Sequence, residues 1–255
     1  MKNKFSAGMI LILIFLMTAL CGCATSNPDV SNNTRPKVSL NERQKSILAE
    51  NGLPTEYDEL LPSQRSAIVA IEKMLCYLEE KYDTTFCYAG YVAASPLEKE
   101  HMIAFQKSGD TESDCFTITK DGDTYEDEYM NVAANAGFTS YLYENIKSFA
   151  PGAEFEIFAK ITKTYFFEVP TSNSDFDGKV ESSLMIFIDE STFKEENLKS
   201  FTEQFAEFMK EHKLFGIAQI ILLKEGNLVN LTKYNFSPYL SEEHYISRET
   251  LYIKK

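Results

Sequence analysis

From Phe155 onward the apolar side chains fall on odd positions: Phe155, Ile157, Ala159, Ile161, Tyr165, Phe167 and Val169. A period of two over this length marks a β-strand with one buried and one wet face. The chain must therefore build a sheet that needs cover on one side. The cover appears at a different period. Ile68, Ile71, Leu75, Leu78 and Tyr82 recur at spacings of three and four, which predicts a helix over 64–81 with one apolar stripe. Two more stripes repeat the arrangement: Ala134, Phe138, Leu142, Ile146 and Phe149 within 131–149, and Leu198, Phe201, Phe205 and Phe208 within 192–212. Amphipathic helices packed on antiparallel sheet make an α+β fold, the class that the sequence predicts.

The remaining strands are shorter. Residues 86–92, 101–106 and 115–119 are joined by Ser-Pro, Ser-Gly-Asp and similar turn signals at hairpin length, so they pair antiparallel. Residues 121–129 read as a turn plus an extended segment. Residues 184–188 are apolar on both faces, as in a central strand, and 217–223 match apart from Gln219. The turn Lys224-Glu225-Gly226-Asn227 leads into an expected strand at 228–234, and 245–253 reads as a last, weaker one. Helix starts are expected at the capping boxes Ser39-x-x-Glu42 and Thr192-x-x-Glu195, with Ser63 capping the helix between them. The order of elements hints at repeated helix-strand-strand-strand units of about 60 residues, although the copies share no residue signature.

The N-terminus carries an address. Lys2 and Lys4 precede an uncharged run from Met9 to Leu20, the layout of an export signal. The run is shorter than the roughly 20 apolar residues that a membrane-spanning helix needs, and it closes on Leu20-Cys21-Gly22-Cys23. This ending resembles the lipobox of bacterial lipoproteins, with Leu three positions before, and Gly immediately before, the cysteine that receives diacylglycerol. Cys23 fits as the lipidated residue. Cys21 would follow bulky Leu20 where a small residue is wanted, and it falls in the discarded peptide. The expected organisation is a signal peptide over 1–22, the lipidated cysteine and a disordered tether over 23–38, and an extracytoplasmic α+β region over 39–255 with a sub-boundary near 121–130. The tether is rich in Ser, Asn and Thr with two prolines and buries almost nothing; its mean span is on the order of 20 Å. The stretches 53–60 and 78–82 are loosely similar to uncharacterised lipoproteins of low-GC Gram-positive bacteria. The resemblance implies a lipid-anchored location on the outer face of the cell membrane and supplies no activity.

Charge narrows the partners. The chain has 38 acidic against 25 basic residues, a formal net charge of −13, and removal of Lys2 and Lys4 makes the rest more acidic still. Such a surface repels phosphate backbones and anionic head groups, which argues against nucleic acid and leaves membrane contact to the lipid anchor. Beyond the anchor stand Cys76, Cys87 and Cys115, an odd set in a chain long enough to need no staple. They read as small reduced side chains, with a Cys87–Cys115 cross-strand bridge as the alternative.

No motif carries chemistry without a plainer reading. Asn173, Asp175, Asp177 and Glu181, with Gly178, match the opening positions of a calcium loop, but Leu184 stands where the closing bidentate Glu belongs, and a polar hairpin loop explains the same residues. Asp121, Asp123, Glu126, Asp127 and Glu128 match no metal template and read as a solvated acidic loop. Ser191-x-x-Lys194 lacks the companion motifs of penicillin-recognising serine enzymes. His101, His212 and His244 are not at ligand spacing, and His212 reads as a helix C-terminal charge. Tyr88 and Tyr91, or Tyr141 and Tyr143, are candidates for a sugar platform, with core packing as the plainer account. The sequence implies no cofactor. It points to a non-catalytic binding or interaction module whose partner is a protein or an envelope component; the alternatives are a ligand-binding lipoprotein of transporter type or an envelope enzyme with dispersed catalytic residues.

Overall fold

The structure, a computed structural model, describes residues 39–255 except 112 and 167. The signal segment, Cys23 and the tether lie outside the described residues. Among the described residues eight strands form two four-stranded sheets, β1-β2-β3-β4 and β5-β6-β7-β8, and the fold is α+β as the sequence predicts.

The first sheet is a meander of Phe86–Val92 (β1), His101–Gln106 (β2), Phe116–Asp121 (β3) and Thr124–Asp127 (β4), antiparallel throughout. Two helices precede it, Glu42–Glu50 (α1) and Pro62–Tyr82 (α2). The predicted stripe of α2 is its buried face: Ile68, Ile71, Leu75 and Leu78, joined by Met74, pack with Phe86, Met102, Ala104, Phe116 and Ile118. Both starts differ from expectation. Asn41, not Ser39, caps α1, accepting from the Gln44 backbone N–H at 2.8 Å while the Gln44 side chain accepts from the Asn41 N–H at 2.9 Å. Helix α2 starts at Pro62 because proline needs no N–H partner in a first turn, and Gln64 Oε1 takes up the Leu61 N–H.

The second sheet combines Phe155–Thr164 (β5), Val180–Asp189 (β6), Phe215–Leu223 (β7) and Tyr245–Ile253 (β8). Helices Tyr129–Phe149 (α3) and Leu198–Glu211 (α4) cover one face, and Phe138, Leu142, Ile146, Phe201, Phe205 and Met209 meet Ile157, Leu184, Ile186, Ala218 and Ile220. One pairing departs from the expected antiparallel sheet. Strands β6 and β7 run parallel because α4 carries the chain back across the face. Their close approach needs a glycine: at Ser182↔Gly216, φ of Gly216 is +130° and a Cβ there would lie 1.8 Å from the Ser182 carbonyl oxygen. The topology is two helices and a meander, then helix-strand-strand twice; it does not repeat a helix-strand-strand-strand unit.

Other differences have local causes. Strand β5 ends at Thr164, and a bulge between Ile161 and Lys163 turns the following side chains over, so Phe166 packs on the core while Tyr165 and Val169 are exposed. Residues 228–234 form turns, not a strand. There Asn235 bonds the Asn230 carbonyl at 2.8 Å and the Thr232 N–H at 2.7 Å, the local side-chain bonding that competes with a ladder. Thr192 does not cap α4; its hydroxyl accepts the Glu154 N–H at 2.8 Å, and the helix enters through a 3₁₀ turn at Glu195–Asn197. Strand β2 lies between β1 and the start of β3, which separates Cys87 from Cys115 by two strand spacings, about 10 Å. A disulfide cannot reach that far, and Cys76, Cys87 and Cys115 are free.

Leu40–Lys255 forms one compact unit with two main cores, one in each of two lobes. The division passes through α3: Tyr129, Val132 and Ala133 pack with the first sheet, and Ala134 onward packs with the second. The expected sub-boundary at 121–130 falls on β4 and the first residues of this helix.

Candidate functional site

Strand register places side chains on the face of the second sheet that no helix covers. Phe158↔Met185↔Gln219↔Thr250 form one cross-strand row and Lys160↔Ser183↔Ile217↔Tyr252 the next. At one end the 228–240 segment lies over this face, with Leu231 and Phe236 packed against Phe158, Phe187 and Ile221. Ring centroids of Phe236 and Phe158 are 5.6 Å apart. At the other end the face is open: Ile217 is 41 % and Tyr252 66 % exposed.

A cleft of about 480 Å³ occupies the angle between this face, α3 and the 113–115 loop of the first lobe. Phe158, Met185, Phe236 and Val132 give it apolar surface, and Lys160, Ser183, Asn131, Asn135 and Lys233 give it polar surface. A second hollow of about 450 Å³ continues from it past Cys115, Asn131 and Lys160 to Ile103, Thr117 and Glu128. Loops from both lobes meet above the cleft. Lys233 Nζ donates to Ser113 Oγ at 2.6 Å, and the Tyr234 hydroxyl donates to Asp110 at 2.6 Å.

The cleft wall is fixed by α3. Asn135 donates to the Ala159 carbonyl at 3.0 Å and accepts the Ile161 N–H at 3.1 Å, as a residue of a neighbouring strand would. Asn131 reaches the Thr162 carbonyl at 3.4 Å. Cys115 donates to the Thr111 carbonyl, and burial followed by Asp114 and Asp110 pushes its thiol up, away from the reactive thiolate.

The sequence candidates do not converge. Asp175 accepts from the Ser172 and Thr171 N–H groups, which hold its carboxyl below the usual range. Asp177 accepts from the Tyr141 hydroxyl at 3.1 Å and lies 3.0 Å from His212 Nδ1, and Glu181 accepts from the Tyr165 hydroxyl. Asn173 begins a 3₁₀ turn. These groups staple a loop to α3 and α4, and among the described residues no three His, Cys, Asp or Glu side chains are placed to share a metal ion. Burial followed by Asp177 raises the Tyr141 phenol far above its ordinary range. Tyr88 and Tyr91 pack on the first core, Tyr141 is buried, and Tyr143, 42 % exposed, lies against Phe155.

Within the acidic run, Asp127 has a fully covered side chain that accepts from Lys81 and Tyr82, both at 2.7 Å. Asp121 pairs with Lys99, and Glu128 accepts the Thr117 N–H at 3.4 Å. His101 lies against the Lys99 carbonyl, and His244 packs on Tyr239 beside Glu243. Ser191 donates its N–H to Asp189. Among the described residues no helix is long and apolar enough to cross a membrane. Sequence reading missed Lys160, Ser183 and Met185: alternation on β5 marks Lys160 as outward-facing, and Met185 falls in a run apolar on both faces that gives no direction. No family model matches the chain, and no curated protein or solved structure matches it.

Proposed function

We propose that the chain is a lipoprotein anchored through Cys23 to the outer face of the cell membrane, and that its folded region binds an envelope component in the cleft between its lobes without turning it over. The observation that carries the binding reading is the cleft itself: a half-enclosed space at the junction of two lobes with an apolar floor and convergent polar groups, the usual setting of a ligand site. Asn135 is committed to backbone at both ends and the Cys115 thiol is pushed up, so the wall offers shape and hydrogen bonding. A lipid anchor would raise the concentration of such a binder near envelope partners.

Anchoring is tested by metabolic palmitate labelling of Cys23→Ala beside Cys21→Ala; label retained in the first variant overturns the assignment. Binding is tested in the full chain with a photo-crosslinking residue at position 234, on the cleft, and at Glu207, on α4. Capture of an envelope component from position 234 alone supports the cleft. Equal capture from both positions, or turnover abolished by a substitution such as Glu128→Gln or His101→Ala, replaces the reading.

A further inference from the structure

We infer that the cleft takes a single-chain anionic amphiphile: a carboxylate or phosphate ester head at Lys160 and Ser183, and an apolar body over Phe158, Met185 and Phe236. This rests on the cleft being the binding site. The geometry comes from register. Lys160 and Ser183 are cross-strand partners, as are Phe158 and Met185, and directly opposed side chains have Cβ atoms about 5 Å apart. The polar pair and the apolar pair share a face two residues apart along the strands, about 7 Å. A head group on the first pair therefore places the following carbons on the second. Phe236, ring to ring with Phe158, closes the apolar end, and Val132 of α3 lines the opposite wall.

Charge selects the head. In a chain with 38 carboxylates to 25 cations, Lys160 has no ion-pair partner among the described residues, although it lines both hollows. Lys233 adds a second ammonium at the rim, bonded to the neutral Ser113 hydroxyl, with Asp114 and Asp110 nearby. Both Asp114 oxygens are engaged, by the Asp110 N–H and the Ser113 hydroxyl. The Ser183 hydroxyl has no bond to protein and can donate to an oxyanion. An ammonium without an ion-pair partner beside apolar surface favours an anion and disfavours a cation of the same shape.

The test is a head-group series on one tail, below micelle formation, by titration calorimetry on residues 39–255: decanoate, decanol and decyltrimethylammonium. Decanoate should bind one to one and at least tenfold more tightly than the other two. Lys160→Met should weaken decanoate about tenfold and leave decanol unchanged, while Met185→Gln should weaken both. Equal affinity across the three heads, or decanoate binding unmoved by Lys160→Met, overturns the proposal. Sedimentation with phosphatidylglycerol vesicles in the absence of decanoate binding also overturns it, in favour of a bilayer surface. If decanoate fails while position 234 still captures an envelope component, the ligand class falls and the cleft stands; if both fail, the binding reading falls with it.

Discussion

The two lobes each have a four-stranded sheet and an apolar core, and they differ in what joins their elements beside it. The first joins its elements through charged groups. Arg43 of α1 donates to Glu72 and Glu79 of α2 at 2.8 and 2.7 Å, Asp127 of β4 collects Lys81 and Tyr82, and Glu100 takes the Tyr91 hydroxyl at 2.6 Å and Lys120 at 3.2 Å. The second is held by an aromatic and aliphatic core in which Phe201, Phe205 and Phe208 line up along α4. Its buried polar residues are Ser182, Thr202 and Asp189, against Gln44 in the first lobe, and the hydroxyls of Ser182 and Thr202 lack a partner. The difference follows from thickness. A short meander under two helices cannot enclose every tyrosine and lysine at its margin, so it pairs them; a sheet with long central strands can exclude water outright.

The largest expected effect breaks the second lobe. Gly216→Ala forces a methyl group into the Ser182 carbonyl and should cost about 4 kcal/mol or more. Hydrogen exchange read by mass spectrometry gives the sharper result. Loss of protection confined to β6 and β7 would mean that the lobes open separately, and equal loss in β1–β3 would mean that α3 makes them one cooperative unit. Asp127→Asn comes next, because it leaves Lys81 without its anion; about 1–3 kcal/mol should be lost, with β3–β4 protection falling before that of β5–β8. Urea unfolding that fails to shift would show the network to be ornamental.

Acid should produce the smallest effect. Hydrogen bonds from Arg43, against an opposing effect of burial, hold the Glu72 carboxyl below its ordinary range, and the Tyr91 hydroxyl followed by Lys120 does so for Glu100. A carboxyl depressed in the folded state contributes stability above its unfolded range, near pH 4–5, and loses it as pH falls through the folded value. The first lobe should thus weaken below about pH 5. In the second lobe the carboxyl held low is Asp175, on an exposed loop, so its exchange protection should change little. Equal acid sensitivity in both lobes would erase the contrast.

The parts that were legible in the sequence are those where periodicity and packing agree. Ile68, Ile71, Leu75 and Leu78 are all buried, and 245–253 is a strand to the residue. The parallel β6–β7 pairing left a mark, two runs apolar on both faces with a helix between them, that the hairpins elsewhere in the chain outweighed in the expectation of an antiparallel sheet. Residues 228–234 misled because Leu231 is buried as a plug while Val229, two residues away, is 82 % exposed. Asn41 and Ser39 both begin a three-residue spacing to Glu or Gln, and only geometry separates them. The cleft was hidden for a further reason. Lys160 and Ser183 look like ordinary solvent-facing strand residues until the 228–240 segment and α3 are placed around them.

Asn135 has a consequence for life at high concentration. An outer strand with open amides is a template on which another chain can add itself, and growth of that kind ends in fibres. On β5 the groups at Ala159 and Ile161 are already answered by a side-chain amide. An incoming strand would have to evict it before forming its first rung. Asn131 answers the Thr162 carbonyl one step further along, so two carboxamides of α3 guard that edge, and hydrolysis of the Asn135 side chain to a carboxylate would turn the donor facing the Ala159 carbonyl into a second acceptor.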